Sequence, residues 1–147
     1  MNHKRPISVL VVIHTVDLDV LLLERTGRAG YWQSVTGSQE DGETLIETAR
    51  RELAEETGIV VPPEALDDWH LTNVFELLPE WRHRYAPGVT HNTEHVFSLE
   101  LRQTRAVCLA PGEHRTCLWL PWREAAEKCF SWSNREAILM LPARRAR

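Results

Sequence analysis

Glu52, Glu55 and Glu56 crowd one short stretch, Arg51-Glu52-Leu53-Ala54-Glu55-Glu56-Thr57-Gly58. On a helix advancing about 100° per residue, the three carboxylates fall within roughly a quarter to a third of the circumference. Like charges four apart cost a few tenths of a kcal/mol in an isolated helix. The negative C-terminal end of a helix disfavours them further. A compensating cation is the natural explanation of so poor a local placement. Carboxylate oxygens are hard ligands, which favours Mg2+, with Mn2+ as a substitute, over zinc. Such an ion bridges protein carboxylates to phosphate oxygens and offsets charge as a P–O bond breaks. Arg51, four residues before Glu55, can brace that side chain.

These groups need a helix, and the chain spells one out. Thr44 followed by Glu47 three residues on is a capping box, and Gly58 is suited to a left-handed helix end. The signals predict a helix over 45–57, with Ile46, Ala49 and Leu53 as its core-facing stripe. Ahead of it, Gly37 is expected in a turn that begins the acidic region. The β-branched run Ile7–Ile13 predicts a buried strand, and 20–24 the next. Residues 69–78, 94–101 and 116–120 read as further strands. In 94–101 the alternation of Phe97, Leu99 and Leu101 with Ser98 and Glu100 suggests one buried face. Pro79–Thr93 reads as a long loop carrying Arg82, His83, Arg84 and Tyr85. A helix over 122–129 follows Pro121, and Ser133 with Glu136 predicts a capping box opening a last helix to about 140. Strands around a central helix, with a helix at the end, give an α/β sandwich.

The whole chain is consistent with this. Its 147 residues suit one domain, spanning 1–147, and its 43% apolar and 26% charged residues are ordinary for a soluble protein. A net charge of −4 argues against a general binder of nucleic acid or anionic membrane. The odd count of three cysteines, Cys108, Cys117 and Cys129, argues for reduced thiols rather than a disulfide framework. The apolar run near the start is too short to span a bilayer and lacks a cleavage site, so the expected location is cytoplasmic. No feature sets an oligomeric state.

Gly37, five residues, Glu43, seven residues and then Arg51-Glu52-Leu53-Ala54-Glu55-Glu56-Thr57-Gly58-Ile59 make a gapless 23-residue pattern. It resembles the signature of the Nudix hydrolases. The resemblance implies an α/β/α sandwich with a mixed sheet and a catalytic loop-helix-loop. It also implies metal-dependent hydrolysis of a nucleoside diphosphate linked to another group. By this analogy Glu52 and Glu56 are metal ligands, Glu55 is a ligand or water-linked carboxylate, and the Gly37 carbonyl is a further ligand. Glu113, ahead of the strand to Trp119, is the expected acidic residue from outside the box, as ligand or base. Whether Glu56 or Glu113 takes the proton from water stays open.

The flanking segments are similar to the bacterial branch of the family that cleaves 7,8-dihydroneopterin triphosphate in folate synthesis. They are Lys4-Arg5-Pro6, Trp32–Ser38, Arg82–Thr90 and Ser131–Arg135. Ser38 stands where many members have a second glycine. The resemblance suggests Lys4 and Arg25 for phosphates, Thr36 beside the metal region, and Phe75 stacked on a flat pterin. Glu76, Leu77, Leu78 and Ser131 line the pocket. Trp32 and Tyr85 are expected to pack in the core or loop, and His14, His70 and His95 to be structural. The expected substrate is a small molecule, a pterin or nucleoside triphosphate. The competing expectations are a (d)NTP or oxidised-nucleotide pyrophosphatase, and an inactive nucleotide-binding module. The second would be expected to lose box glutamates, and none is lost.

Overall fold

The computed structural model describes residues 3–107, 109 and 114–145. Cys108 and Glu113 lie outside the described residues. The strands are β1 (Ile7–Thr15), β2 (Asp19–Arg25), β3 (Trp32–Gln33), β4 (Val35–Ser38), β5 (Leu66–Glu76), β6 (His91–Leu101) and β7 (His114–Pro121). The helices among the described residues are α1 (Leu45–Thr57), α2 (Trp122–Lys128) and α3 (Trp132–Arg145).

The sheet is mixed. Its path runs β3-β2-β1-β6-β5, with β4 paired to β1 and β7 paired to β2. β1 and β6 are parallel, register Val9↔His95 and Leu10↔Val96, while β4 runs antiparallel to β1. Because side chains alternate across a strand, β1 feeds two cores. Leu10 and Val12 join Val96, Ala125, Ala137 and Ile138 beneath α2 and α3. Val9, Val11 and Ile13 join Ala49, Leu53 and Phe97 beneath α1. Each fully buried aliphatic side chain contributes roughly 1.5–3 kcal/mol, so β1 ties both layers together. The α/β/α sandwich expected from the sequence is the fold.

α1 forms as expected. Thr44 and Glu47 make the reciprocal capping box, and Gly58 closes the helix at φ 77°. Other expectations need correction. Gly37 is not in a turn: it sits within β4, paired with Val9. The last helix starts at Trp132, and Ser131 rather than Ser133 caps it, its Oγ accepting from the Asn134 N–H at 3.3 Å. Ser133 is buried in the first turn instead. The helix also runs through Pro142 to Arg145. β6 is covered on both faces, so Ser98 is buried, where its hydroxyl accepts from the Trp69 indole at 2.8 Å. The stretch 79–93 is not one loop: Pro79–Arg84 is a 3-10 turn and β6 begins at His91.

Candidate active site

Arg51 organises the acidic region. Its guanidinium donates to Glu43 through Nε at 2.6 Å and Nη2 at 3.0 Å, to Glu52 at 2.7 Å and to Glu55 at 3.3 Å. A fifth contact goes to the Ser38 carbonyl at 3.0 Å, which ties α1 to the end of β4. The expected brace on Glu55 exists, but Glu43 is the principal partner. The planar fork of arginine matches a carboxylate in two parallel bonds. The guanidinium holds the Glu43 carboxyl down at about 2, helped by the Glu40 N–H and the Thr48 hydroxyl.

Glu56 is 1% exposed, on the flank of α1 that faces β4 and the core. Glu52 lies beside it. Burial pushes the Glu52 carboxyl up, while a hydrogen bond with Glu56 and the charge of Arg51 pull it back. Two carboxylates side by side in a partly desolvated site are unfavourable without a cation. Glu55 is exposed and turned to Arg51. The three glutamates therefore do not converge: among the described residues, no three acidic, histidine or cysteine groups are drawn into a ready metal cage. Mg2+ does not require one, because it keeps several waters and takes only one or two protein carboxylates plus phosphate oxygens. The all-oxygen donor set and the buried Glu52–Glu56 pair fit that ion.

Gly37 explains how β4 passes this pair. A Cβ at Gly37 would fall inside the Glu52 carboxyl group. Its φ is not left-handed, so the requirement is space rather than backbone freedom. Gly37→Ala is expected to leave the fold intact and displace the Glu52 carboxyl, and, with Glu52 proposed below as a metal ligand, to lower kcat/KM about a hundredfold. Steady-state kinetics with a Mg2+ titration measure this, and wild-type values would refute the role of Gly37.

Two cavities meet at β4. One, about 1050 Å³, runs over the acidic helix and the cations Lys4, Arg5, Arg25 and Arg84. The other, about 470 Å³, is lined by aromatic rings including Tyr31, Phe75, Trp81 and Phe130. Lys4, Arg25, Thr36, Gly37 and Arg84 line both, so the two are continuous. Lys4 is held by its N–H on the Arg84 carbonyl at 2.8 Å, and the Arg25 guanidinium lies 5.2 Å from the Trp81 ring centre. Phe75, Leu77, Leu78 and Ser131 line the aromatic cavity. Glu76 lines it too, and pairs with Arg82 at 2.7 Å.

Several lining residues were not singled out by sequence. Tyr31 stacks on Phe130 with centroids 4.5 Å apart, and Trp81 meets the same ring edge-on at 6.3 Å. Ser8, Asn92 and Glu94 place buried polar groups in the same cavity. The available signal was a polar residue inside an otherwise apolar buried run, as Ser8 is within Ile7–Ile13. Trp32 belongs to the core, as expected, and Tyr85 lines the aromatic cavity. His14 is structural: burial lowers its pKa, and its Nδ1 meets the Thr15 carbonyl at 3.0 Å. His70 is exposed where the β5–β6 register shifts. The buried Cys129 thiol is pushed up to about 12 by desolvation, which makes it inert.

Glu94 is 3% exposed, and burial pushes its carboxyl up to about 7 despite hydrogen bonds with Ser133 and Asn73. The consequence for stability has a definite sign. Below an ordinary carboxylate pKa of about 4.5, the group is protonated in both states and costs nothing. As pH rises from there to 7 the unfolded chain ionises first, so stability is lost, on the order of 3 kcal/mol in full above 7. Glu94→Gln should therefore stabilise the fold more at pH 8 than at pH 5. Urea unfolding at the two pH values tests this; an equal effect at both would contradict it.

A mixed sheet between helical layers, with a glutamate-bearing helix braced by Arg51 against the strand of Gly37, is the architecture of one family. The NUDIX domain pattern matches residues 4–141, and the chain belongs to the Nudix family. Among curated proteins, it is similar to dihydroneopterin triphosphate diphosphatase of Escherichia coli strain K12, at 48% identity over 92% of this chain and 91% of that one. The Haemophilus influenzae protein of the same name is 40% identical over 94% of this chain and 88% of that one. The solved E. coli dihydroneopterin triphosphate pyrophosphohydrolase superposes with a TM-score of 0.87, at 47% identity over 94% of this chain and 95% of that one.

Proposed function

We propose that the chain is a Mg2+-dependent pyrophosphohydrolase that converts 7,8-dihydroneopterin triphosphate to the monophosphate and pyrophosphate. The observation that carries this is the union of the two cavities. A flat aromatic-lined pocket opens into a cleft with cations on one wall and paired glutamates on the other. That shape suits a flat ring joined to a triphosphate, and the relatives described above bear the matching name.

In this reading Phe75 stacks on the ring, and Glu76, Leu77, Leu78 and Ser131 enclose it. Lys4 and Arg25 hold phosphate oxygens at the shared mouth, and Thr36 donates its hydroxyl there. Glu52 and Glu56 would hold the metal directly, with the Gly37 carbonyl and Glu113 as the further protein oxygens, and Glu55, turned to Arg51, would reach it through water. Bound Mg2+ supplies charge neutralisation of the phosphates and polarisation of the scissile P–O bond. Arg51 fixes Glu52 and keeps α1 seated against β4. A carboxylate, Glu56 or Glu113, accepts a proton from the attacking water. The new bond joins that water's oxygen to phosphorus, the bond to the bridging oxygen breaks, and pyrophosphate and the monophosphate separate.

The same reading makes the partner a small molecule rather than a nucleic acid, and the location the cytoplasm. No helix among the described residues is long and apolar enough to cross a membrane. The test is a comparison of kcat/KM with Mg2+ across dihydroneopterin triphosphate, the four dNTPs and oxidised dGTP. Preference for the pterin is the expected result; preference for an ordinary dNTP would defeat it.

A further inference from the structure

The aromatic cavity contains a carboxyl group that hydrolysis does not use. Glu94 stands on β6, two residues after Asn92, on the face that continues into Val96 and the core beneath α3. Its Oε1 is buried and has no hydrogen-bond partner among the described residues, while the carboxyl's other hydrogen bonds go to Ser133 and Asn73. Asn92, equally buried, presents its Oδ1 without a partner while its amide nitrogen donates to the Ser8 hydroxyl at 2.7 Å. Both residues line the cavity that Phe75 and Phe130 shape. The inner wall thus offers acceptors where continuation of the core would place apolar side chains. A buried, unsatisfied acceptor costs roughly 1–3 kcal/mol, more when charged, so a ligand with N–H donors is the natural complement.

We propose that Glu94 is a specificity-determining residue that reads the paired N–H edge of a 2-amino-4-oxo ring, the amino group and the adjacent ring N–H together. A carboxylate's two oxygens lie at the spacing of those two donors; Oε1 is open to one, and the other oxygen accepts the second alongside Ser133 and Asn73. Dihydropterin carries this edge, and so does guanine. Adenine and cytosine present an acceptor beside their amino group, and thymine a single donor between two carbonyls. A site built to accept from such an edge rejects analogues that lack it, because its own polar groups are then left unpaired. Burial disfavours the ionised form of Glu94, and two N–H donors from a ligand would stabilise that form and draw its pKa down from about 7. This inference rests on the pterin reading for the natural ligand but not for its chemistry.

The test measures kcat/KM of wild type and Glu94→Gln with Mg2+ on dihydroneopterin triphosphate, dGTP, dITP and dATP, with thermal melts alongside. dITP differs from dGTP only in lacking the 2-amino group. Wild type is expected to prefer dGTP to dITP about tenfold or more. Glu94→Gln is expected to lose about a hundredfold on the pterin and dGTP, to stay within about threefold on dATP, and to bring the dGTP to dITP ratio near one. Equal wild-type use of dGTP and dITP would overturn the proposal whatever the variant's stability. So would a variant that loses the same factor on all four substrates, or loses nothing. A wild type that demands the 2-amino group yet ignores dihydroneopterin triphosphate would refute the pterin reading and leave Glu94 in its role. A pterin-selective wild type matched by its variant would do the reverse.

Discussion

Glu56→Gln lowers kcat by about a thousandfold or more, the scale of a lost acid–base group compounded by a lost ligand charge. The side chain is 1% exposed and lies beside Glu52, so glutamine keeps the volume and removes only the charge and basicity. The melting temperature should hold or rise, because one of two adjacent buried carboxylates is relieved. That combination separates a chemical role from a structural one. A variant with near-normal turnover would show that Glu56 neither holds the metal nor moves the proton. A variant that fails to fold would show that Glu56 is needed structurally first.

Arg51→Met carries the second large effect, and here stability falls along with activity. Methionine keeps the length of the stem but strips Glu43, Glu52 and Glu55 of their common cation. The Arg51 side chain is only 21% exposed and that of Glu43 17%, so the contact is not a solvent-screened surface pair. Removing one partner of such a pair costs about 3–5 kcal/mol when fully buried. This half-buried pair falls below that limit, and the expected loss of about 2 kcal/mol corresponds to a drop of roughly 5 °C in Tm for a domain of this size. The pH dependence has a sign as well. The depressed Glu43 carboxyl stabilises the fold fully above about 4.5 and loses that contribution as pH falls towards 2, so the variant should lack this part of the acid transition. kcat/KM falls about a hundredfold as Glu52 loses its position. Lysine at this site should recover the charge but not the two-bond fork to Glu43, and so restore activity only in part. A Tm within a degree of wild type would contradict the hub role of Arg51.

The acidic helix was legible because its signals are local. Thr44, Glu47 and Gly58 act through the backbone of their own turn, and the spacing of Glu52 and Glu56 needs only a helical period. Ile7–Ile13 and the paired layers were legible for the same reason, since alternation and burial follow from one segment at a time. What sequence reading missed depends on partners distant along the chain. Gly37 had the right identity for a turn but serves as a gap in a strand, which only its meeting with Glu52 reveals. Arg51 shows its neighbour Glu55 in the sequence, while its stronger bond to Glu43 depends on how the preceding loop folds back. Ser133 with Glu136 has the local pattern of a cap, but Ser133 is buried in the first turn and Ser131 takes the capping bond. The ring pocket was half visible. Phe75 was found by analogy, but Tyr31, Phe130 and Glu94 come together only through the sheet order and the seat of α3.

The most direct measurement of the central claim is product analysis by phosphorus NMR, with purified protein, dihydroneopterin triphosphate and Mg2+, and a parallel sample in chelator. The account predicts one pyrophosphate for each dihydroneopterin monophosphate formed, and no turnover in chelator. Stepwise release of orthophosphate, or turnover undiminished by chelator, would contradict it.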